Sequence, residues 1–169
     1  MQLLRTILDV LGYFSTVIVI ISVLVGIYLW LRGIVPVLIR LGNGLSRRKI
    51  AVFATGDMAQ SLEDLLHDSK LFDRANVIRI TRAEDLGRAE GATLFLVYWP
   101  DWRNSVKEIL EAKNDGTALV VYAPQDQGLI PQPEMTLLNS KRNVVVTNFR
   151  GRLLNDVVVC MITTSYEKK

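Results

Sequence analysis

An uncharged run of 22 residues, Val10 to Leu31, constrains this chain more than any other feature. It reads VLGYFSTVIVIISVLVGIYLWL and is bounded by Asp9 and Arg32. A helix of that length, rising about 1.5 Å per residue, reaches roughly 33 Å. A bilayer's hydrocarbon core is about 30 Å thick. Tyr13 and Phe14 near one end, and Tyr28 and Trp30 near the other, suit the two membrane interfaces. A secretory signal has a shorter apolar region, about 7–15 residues, followed by a small-x-small cleavage site. Here Arg32 and Gly33 follow. The run predicts a transmembrane helix.

Its flanks predict its direction. Arg5 alone precedes it, whereas Arg32, Arg40, Arg47, Arg48 and Lys49 follow. The positive-inside bias puts the carboxyl side in the cytoplasm and the amino terminus outside. The run also has a face. Gly12, Ser15, Thr16, Val19, Ser22, Val23 and Gly26 recur at helical spacing, with Ile18, Ile20, Ile21, Leu24 and Val25 opposite. Lipid gives helices no hydrophobic drive to associate, so close contact needs small residues. The stripe predicts a homo-oligomeric span, and the same weakly polar face is suited to lining a pore. The bland alternative is that Gly and Ser are simply common in membrane helices.

The overall charge of +3 hides an asymmetry. Residues 1–49 carry six Lys and Arg against one acid, a net +5, and residues 50–169 carry 14 bases against 16 acids, a net −2. The basic character therefore belongs to the membrane flank, where it meets anionic headgroups; it is not evidence for a wholly basic nucleic-acid-binding domain, and it leaves room for local basic patches. Cys160 is the single cysteine, set among Val157, Val158, Val159, Met161 and Ile162, and reads as a core residue. It leaves no disulfide within the chain, as suits a reducing cytosol. His67, the single histidine, lies among Glu63, Asp64 and Asp68 and reads as a solvated helix-face residue. One Cys and one His do not supply a zinc site, and neither a metal nor a cofactor is expected.

Residues 1–45 form the anchor and its juxtamembrane segment. Pro36 to Leu41 reads as a short interfacial helix or a kinked extension, and Gly42-Asn43-Gly44 as the break before a soluble domain over 46–169. That domain alternates strands with helices. The strands are Lys49–Ala54, Asn76–Thr81, Ala92–Tyr98, Thr117–Tyr122 and Asn143–Asn148. All but the second are nearly continuous in apolar residues, as in strands covered on both faces. The second alternates and reads as an edge. The helices are Met58–Leu66, a short one at Glu84–Arg88, Asn104–Lys113, Glu134–Leu138 and Leu153–Thr163, with Asp57 and Asn104 as N-caps. This pattern predicts an α/β fold, a doubly wound parallel sheet of order 2-1-3-4-5.

The Thr55-Gly56-Asp57 turn after the first strand, the YWPDW loop after the third and the amphipathic last helix resemble a TIR-like or receiver-like domain. The resemblance is one of topology over the soluble domain. A single span joined to such a domain also resembles the membrane effectors of bacterial nucleotide-signalled antiviral systems. That resemblance implies the bacterial inner membrane, a nucleotide or oligonucleotide signal, or a soluble partner protein.

In an open α/β sheet the ligand crevice lies beyond the carboxyl ends of the strands, where their order reverses. The flanking loops are Thr55-Gly56-Asp57 and Trp99-Pro100-Asp101-Trp102. Trp99 and Trp102 are suited to stacking on a base or to packing over the sheet end. Arg150 and Arg152, after the last strand, are suited to a phosphate. The TIR resemblance implies NAD hydrolysis through a carboxylate after the third strand, where Trp102, Ser105, Glu108 and Glu111 stand at a spacing that departs from that family's pattern. On residues alone, Glu108 and Glu111 read as a solvated face pairing with Lys107 or Lys113. A phosphate-receiving site needs clustered acids after the first strand, where Asp57 stands alone, and Asn148 and Phe149 occupy the place of a lysine after the fifth. The expected activity is that of a non-catalytic signalling effector, with a tethered NAD hydrolase or an adaptor as the alternatives.

Overall fold

The computed structural model describes residues 2–127 and 129–164. It divides into a unit of residues 1–42 and a unit of residues 43–169. The first helix, α1, runs from Gln2 to Ser46. Within it Leu11–Val37, with mean hydropathy 2.5 and nothing buried, is long and apolar enough to span a membrane. Ser15 and Thr16 turn their hydroxyls back to the Gly12 carbonyl, at 3.0 and 2.8 Å. That contact satisfies a polar group without any partner outside the helix.

Pro36 lies inside α1, and Gly42-Asn43-Gly44 continues it. The first agrees with an extension of the helix through Pro36, and the second corrects the expected break at Gly42-Asn43-Gly44. Glycine lowers helix propensity by about 1 kcal/mol without forbidding the conformation. The chain leaves the helix only after Leu45, which is buried in the core of the second unit.

The second unit is a five-stranded parallel sheet in the order β2-β1-β3-β4-β5. The strands are β1 (Ile50–Phe53), β2 (Val77–Ile80), β3 (Leu94–Tyr98), β4 (Ala118–Tyr122) and β5 (Val144–Thr147). All five fall inside the expected segments. The three inner strands are buried at every residue, whereas β2 and β5 are only partly covered. Arg79 of β2 shows why that strand alternates. Its guanidinium makes two 2.6 Å bonds to Glu63 of α2 (Gly56–Asp68) and a third to Gln60 at 2.9 Å, a charge-assisted fork at a sheet edge.

Period-two side chains divide the core in two. Ile50, Val52, Leu94, Leu96 and Val120 face α2 and α6 (Arg150–Thr164), and Cys160 lies in this layer as expected. Ala51, Phe53, Phe95, Val97 and Leu119 face the opposite layer of α3 (Trp99–Trp102), α4 (Val106–Ala112) and α5 (Gln132–Asn139). A 3₁₀ stretch at Ala83–Ala89 takes the place of the short helix expected there.

Several local readings change. Within the YWPDW segment Tyr98 ends β3 and WPDW is a helical turn, not a loop, because Pro100 in its first turn is preorganised for helix. Thr55, not Asp57, holds the N-cap position of α2, and Asp57 sits in the first turn. Asn104 lies in the 3₁₀ turn Arg103–Ser105, which puts Ser105 before α4. His67 is half-buried and its Nε2 is buried with no hydrogen-bond partner, so it is not the freely solvated residue expected.

Candidate functional site

The carboxyl ends of β1 and β3 are adjacent, and the loops that leave them are tied together. Asp101 Oδ2 accepts from both the backbone N–H and the hydroxyl of Thr55, each at 2.7 Å. A threonine at an N-cap position ordinarily turns its oxygen on its own helix. Here the side chain makes no cap bond and donates across the sheet end instead. Gly56 follows with φ +52°, a left-handed conformation that a side chain at this position strains, although nothing lies within 4 Å of where a Cβ would stand. The turn is therefore shaped by backbone conformation, not by crowding.

Beneath this tie the two tryptophans are buried, each 4% exposed. Trp102 stands edge-on to Phe53 at 5.3 Å between ring centroids, and Phe53 in turn meets Phe95 at 5.1 Å. Trp102 thus packs over the sheet end, the second of the two uses read from the sequence. Its indole Nε1 is buried without a hydrogen-bond partner. Trp99 lines a cavity.

That cavity measures about 340 Å³ and lies between α3 with its following turn and the segment leading into α5. Trp99, Pro100, Arg103, Asn104, Gln127 and Glu134 are among its lining residues. Tyr98, at the end of β3, donates its hydroxyl to Gln127 Oε1. Burial first, then the neighbouring Asp101, Tyr122 and Asp126, pushes the Tyr98 phenol above its usual range, so it stays a donor at neutral pH. Glu134 Oε2 is buried and has no hydrogen-bond partner.

The remaining residues read from the sequence lie elsewhere. Arg150 donates to the backbone carbonyl and hydroxyl of Ser61, at 2.9 and 2.7 Å, which ties α6 to α2. Arg152 is exposed on α6. Both therefore belong to the layer opposite the one that holds the cavity. Asp57 is exposed, and Glu108 and Glu111 are exposed on α4. The structure thus brings Thr55, Asp101 and Trp102 together and leaves the two arginines and the two glutamates apart from them. Among the described residues no three His, Cys, Asp or Glu side chains gather to hold a metal ion.

Gln127, Glu134, Arg103 and Asn104 carry the polar chemistry of the cavity, and sequence reading missed them. They belong to no motif. The one available signal was the Pro- and Gln-containing stretch PQDQGLIP between β4 and α5, which leaves a carboxyl strand end where ligands of such sheets bind. Comparison of the chain with family profiles, with curated proteins and with solved structures gives no match in any of the three.

Proposed function

We propose that this protein is a membrane-anchored, oligomeric signalling effector of the bacterial inner membrane. Its cytoplasmic α/β domain binds a nucleotide-type signal or partner and controls a cluster of spans that forms a pore. The observation that carries this reading is the way α1 ends. Leu45 at its last turn is 5% exposed and belongs to the domain core. Two residues beyond the helix, the Arg48 guanidinium donates to the Met161 carbonyl of α6. The last turn of the helix that contains the apolar run therefore belongs to the core of the second unit. An effector that moves its spans needs the helix end held by its domain, whereas a tethered adaptor does not. The orientation rests on the basic flank after Leu31, and the antiviral setting on resemblance of architecture.

The experiment is ion flux from proteoliposomes that contain the full chain. Flux triggered by a nucleotide, and lost in Arg48→Ala while ligand binding persists, is the expected result. Equal leakage with and without any nucleotide, or with Gly26→Leu in the span, overturns the reading. NAD turnover that disappears in Glu108→Gln or Glu111→Gln replaces it with the hydrolase.

A further inference from the structure

We infer that Tyr28 and Arg32 of α1 together hold the phosphate of an anionic phospholipid in the cytoplasmic leaflet. This rests on the membrane-anchored reading for its setting, not on the pore, and it gives the span a lipid partner of stated chemistry. The two residues stand one helical turn apart, and both are exposed. The Arg32 guanidinium donates from Nη1 to the Tyr28 hydroxyl at 3.1 Å. Its Cζ lies 6.0 Å from the centre of the Tyr28 ring, within reach of a cation–π attraction. A long, flexible side chain is thereby held beside a phenol before any ligand arrives, which lowers the entropic cost of binding one.

The pair is a set of donors that lacks an anion. A guanidinium carries five N–H donors and no acceptor, and the phenol oxygen takes one of them. That oxygen accepts, so its own O–H remains to donate. A phosphate diester offers two free oxygens and one negative charge, and a guanidinium grips phosphate with two parallel bonds. The chain does not supply such an anion. No Asp or Glu stands between Asp9 and Asp57, and Asp9 lies about 35 Å from Arg32 along the helix axis, at about 1.5 Å per residue. A second copy in the same orientation brings the same residues and the same lack. The membrane does supply it. Arg32 is the first charge after the uncharged run, which puts it at headgroup level in a bilayer that the run spans. Ile21, Val25, Tyr28 and Arg32 form one row, opposite Gly12, Thr16, Val19 and Gly26. The pair therefore faces lipid even where the small face meets another copy. A choline headgroup carries its own cation, which neutralises the phosphate and repels Arg32, so a lipid of net negative charge is preferred. The rest of the basic flank attracts such lipids diffusely. Arg32 adds a fixed geometry to that charge.

The test is electron spin resonance of the full chain in liposomes that carry a trace of spin-labelled phosphatidylglycerol or phosphatidylcholine. Lipid held at the protein is motionally restricted and is resolved from the bulk. Phosphatidylglycerol is expected to be held about tenfold more tightly than phosphatidylcholine. Arg32→Ala should abolish that preference. Arg32→Lys keeps the charge and loses the fork, and Tyr28→Phe keeps the ring and loses the hydroxyl, so each should lose about threefold. Arg47→Ala, at an exposed base outside the apolar stretch Leu11–Val37, should stay within about twofold of the parent. Soluble glycerol phosphate should displace nothing. The parent's preference in both Arg32→Lys and Tyr28→Phe, or a loss in Arg47→Ala as large as in Arg32→Ala, overturns the site in favour of diffuse charge. Displacement by glycerol phosphate overturns it in favour of a soluble ligand. Restricted lipid with equal affinity for both headgroups removes the site and leaves the span. No restricted lipid at all removes the span, and the membrane-anchored reading with it. The expected lipid preference without ion flux leaves the site standing and removes the pore.

Discussion

The apolar run in α1 and the strands of the sheet are built from the same residues and end in opposite surroundings. Ile18, Ile20 and Ile21 are each half exposed, whereas Ile50, Val52 and Val120 are not exposed at all. What differs is the company that each run keeps. Four or five apolar residues bounded by turns pair with neighbours and are covered by helices on both faces. Among the described residues, Leu11–Val37 has nothing buried. Soluble monomers rarely expose so large an apolar surface, and a helix of this length and composition is long and apolar enough to span a membrane. Hydrophobicity alone does not separate the two regions. Burial within the chain does, complete for the inner strands and absent from the apolar helix among the described residues.

Truncation of a core residue should break this symmetry most sharply. Phe53 is not exposed and touches both Phe95 and Trp102. Phe53→Ala should destabilise the domain by about 3–5 kcal/mol, the range for a large aromatic cut from a core. Ile21→Ala in the span should leave the same unfolding transition unmoved within about 0.5 kcal/mol. Urea titration of the full chain in detergent, followed by near-ultraviolet circular dichroism, measures both. A matching loss from Ile21→Ala would mean that the run is covered by its own domain after all.

The next effect tests what covers the run. A Cβ added at Gly26 meets nothing within 4 Å, so a single helix accepts a larger residue there without strain. Gly26→Leu should therefore cost nothing to the isolated chain. It should weaken self-association in membranes by about 1–2 kcal/mol if the small face packs against another copy. Ile21→Leu on the far face serves as the control. Crosslinking or energy transfer in liposomes reads the difference, and identical association by both variants would make the stripe incidental.

Smaller still is the tie at the sheet end. Asp101→Asn keeps the size of the side chain and removes its charge from two bonds to Thr55. The expected loss is about 0.5–1.5 kcal/mol, because both partners are exposed. Thr55→Val, which deletes the hydroxyl and keeps the backbone bond, should lose less than Asp101→Asn. The opposite ranking would show that the hydroxyl, and not the amide, carries the tie.

The sheet was legible because its strands announce themselves. IAVF, LFLVY and ALVVY are apolar throughout, and VIRI interrupts its run with Arg79, which forms an ion pair with Glu63 of α2. Strand order followed from handedness and connection rules, which need only that the elements exist. Helix ends were less legible. Gly42 to Gly44 looks like a break in sequence, yet Leu45 beyond it is held in the core and the helix persists to reach it. The cavity was not legible at all. Trp99 and Glu134 meet on its wall from distant positions, and no local pattern marks a carboxylate whose partner is missing. The tryptophans and Asp101 were visible as a loop of unusual composition, but that composition leaves open whether the rings face a ligand or the core. Burial decided that for Trp102.

The smallest effect concerns pH, and it reports on the domain alone. Cys160 lies in the core beside α2's layer, 6% exposed. Burial, and then the charge of Asp156, pushes its thiol up from 9.0 to about 11. Below pH 9 the thiol is protonated in both folded and unfolded chains, and stability does not change on its account. Between about 9 and 11 the unfolded chain releases this proton first. It then binds fewer protons than the folded chain, so stability falls as pH rises through that window. The raised Tyr98 phenol acts with the same sign from its usual value of 10.0 upward, which leaves the interval just above pH 9 to Cys160. Urea midpoints measured between pH 8 and 10 should fall only above 9, and Cys160→Ala should flatten that fall while Ile21→Ala leaves it intact. The same burial should make the native thiol slow toward a disulfide reagent at pH 8 and fast in urea. Rapid labelling of the native chain would mean that α6 opens far more readily than its packing against β4 and β5 implies.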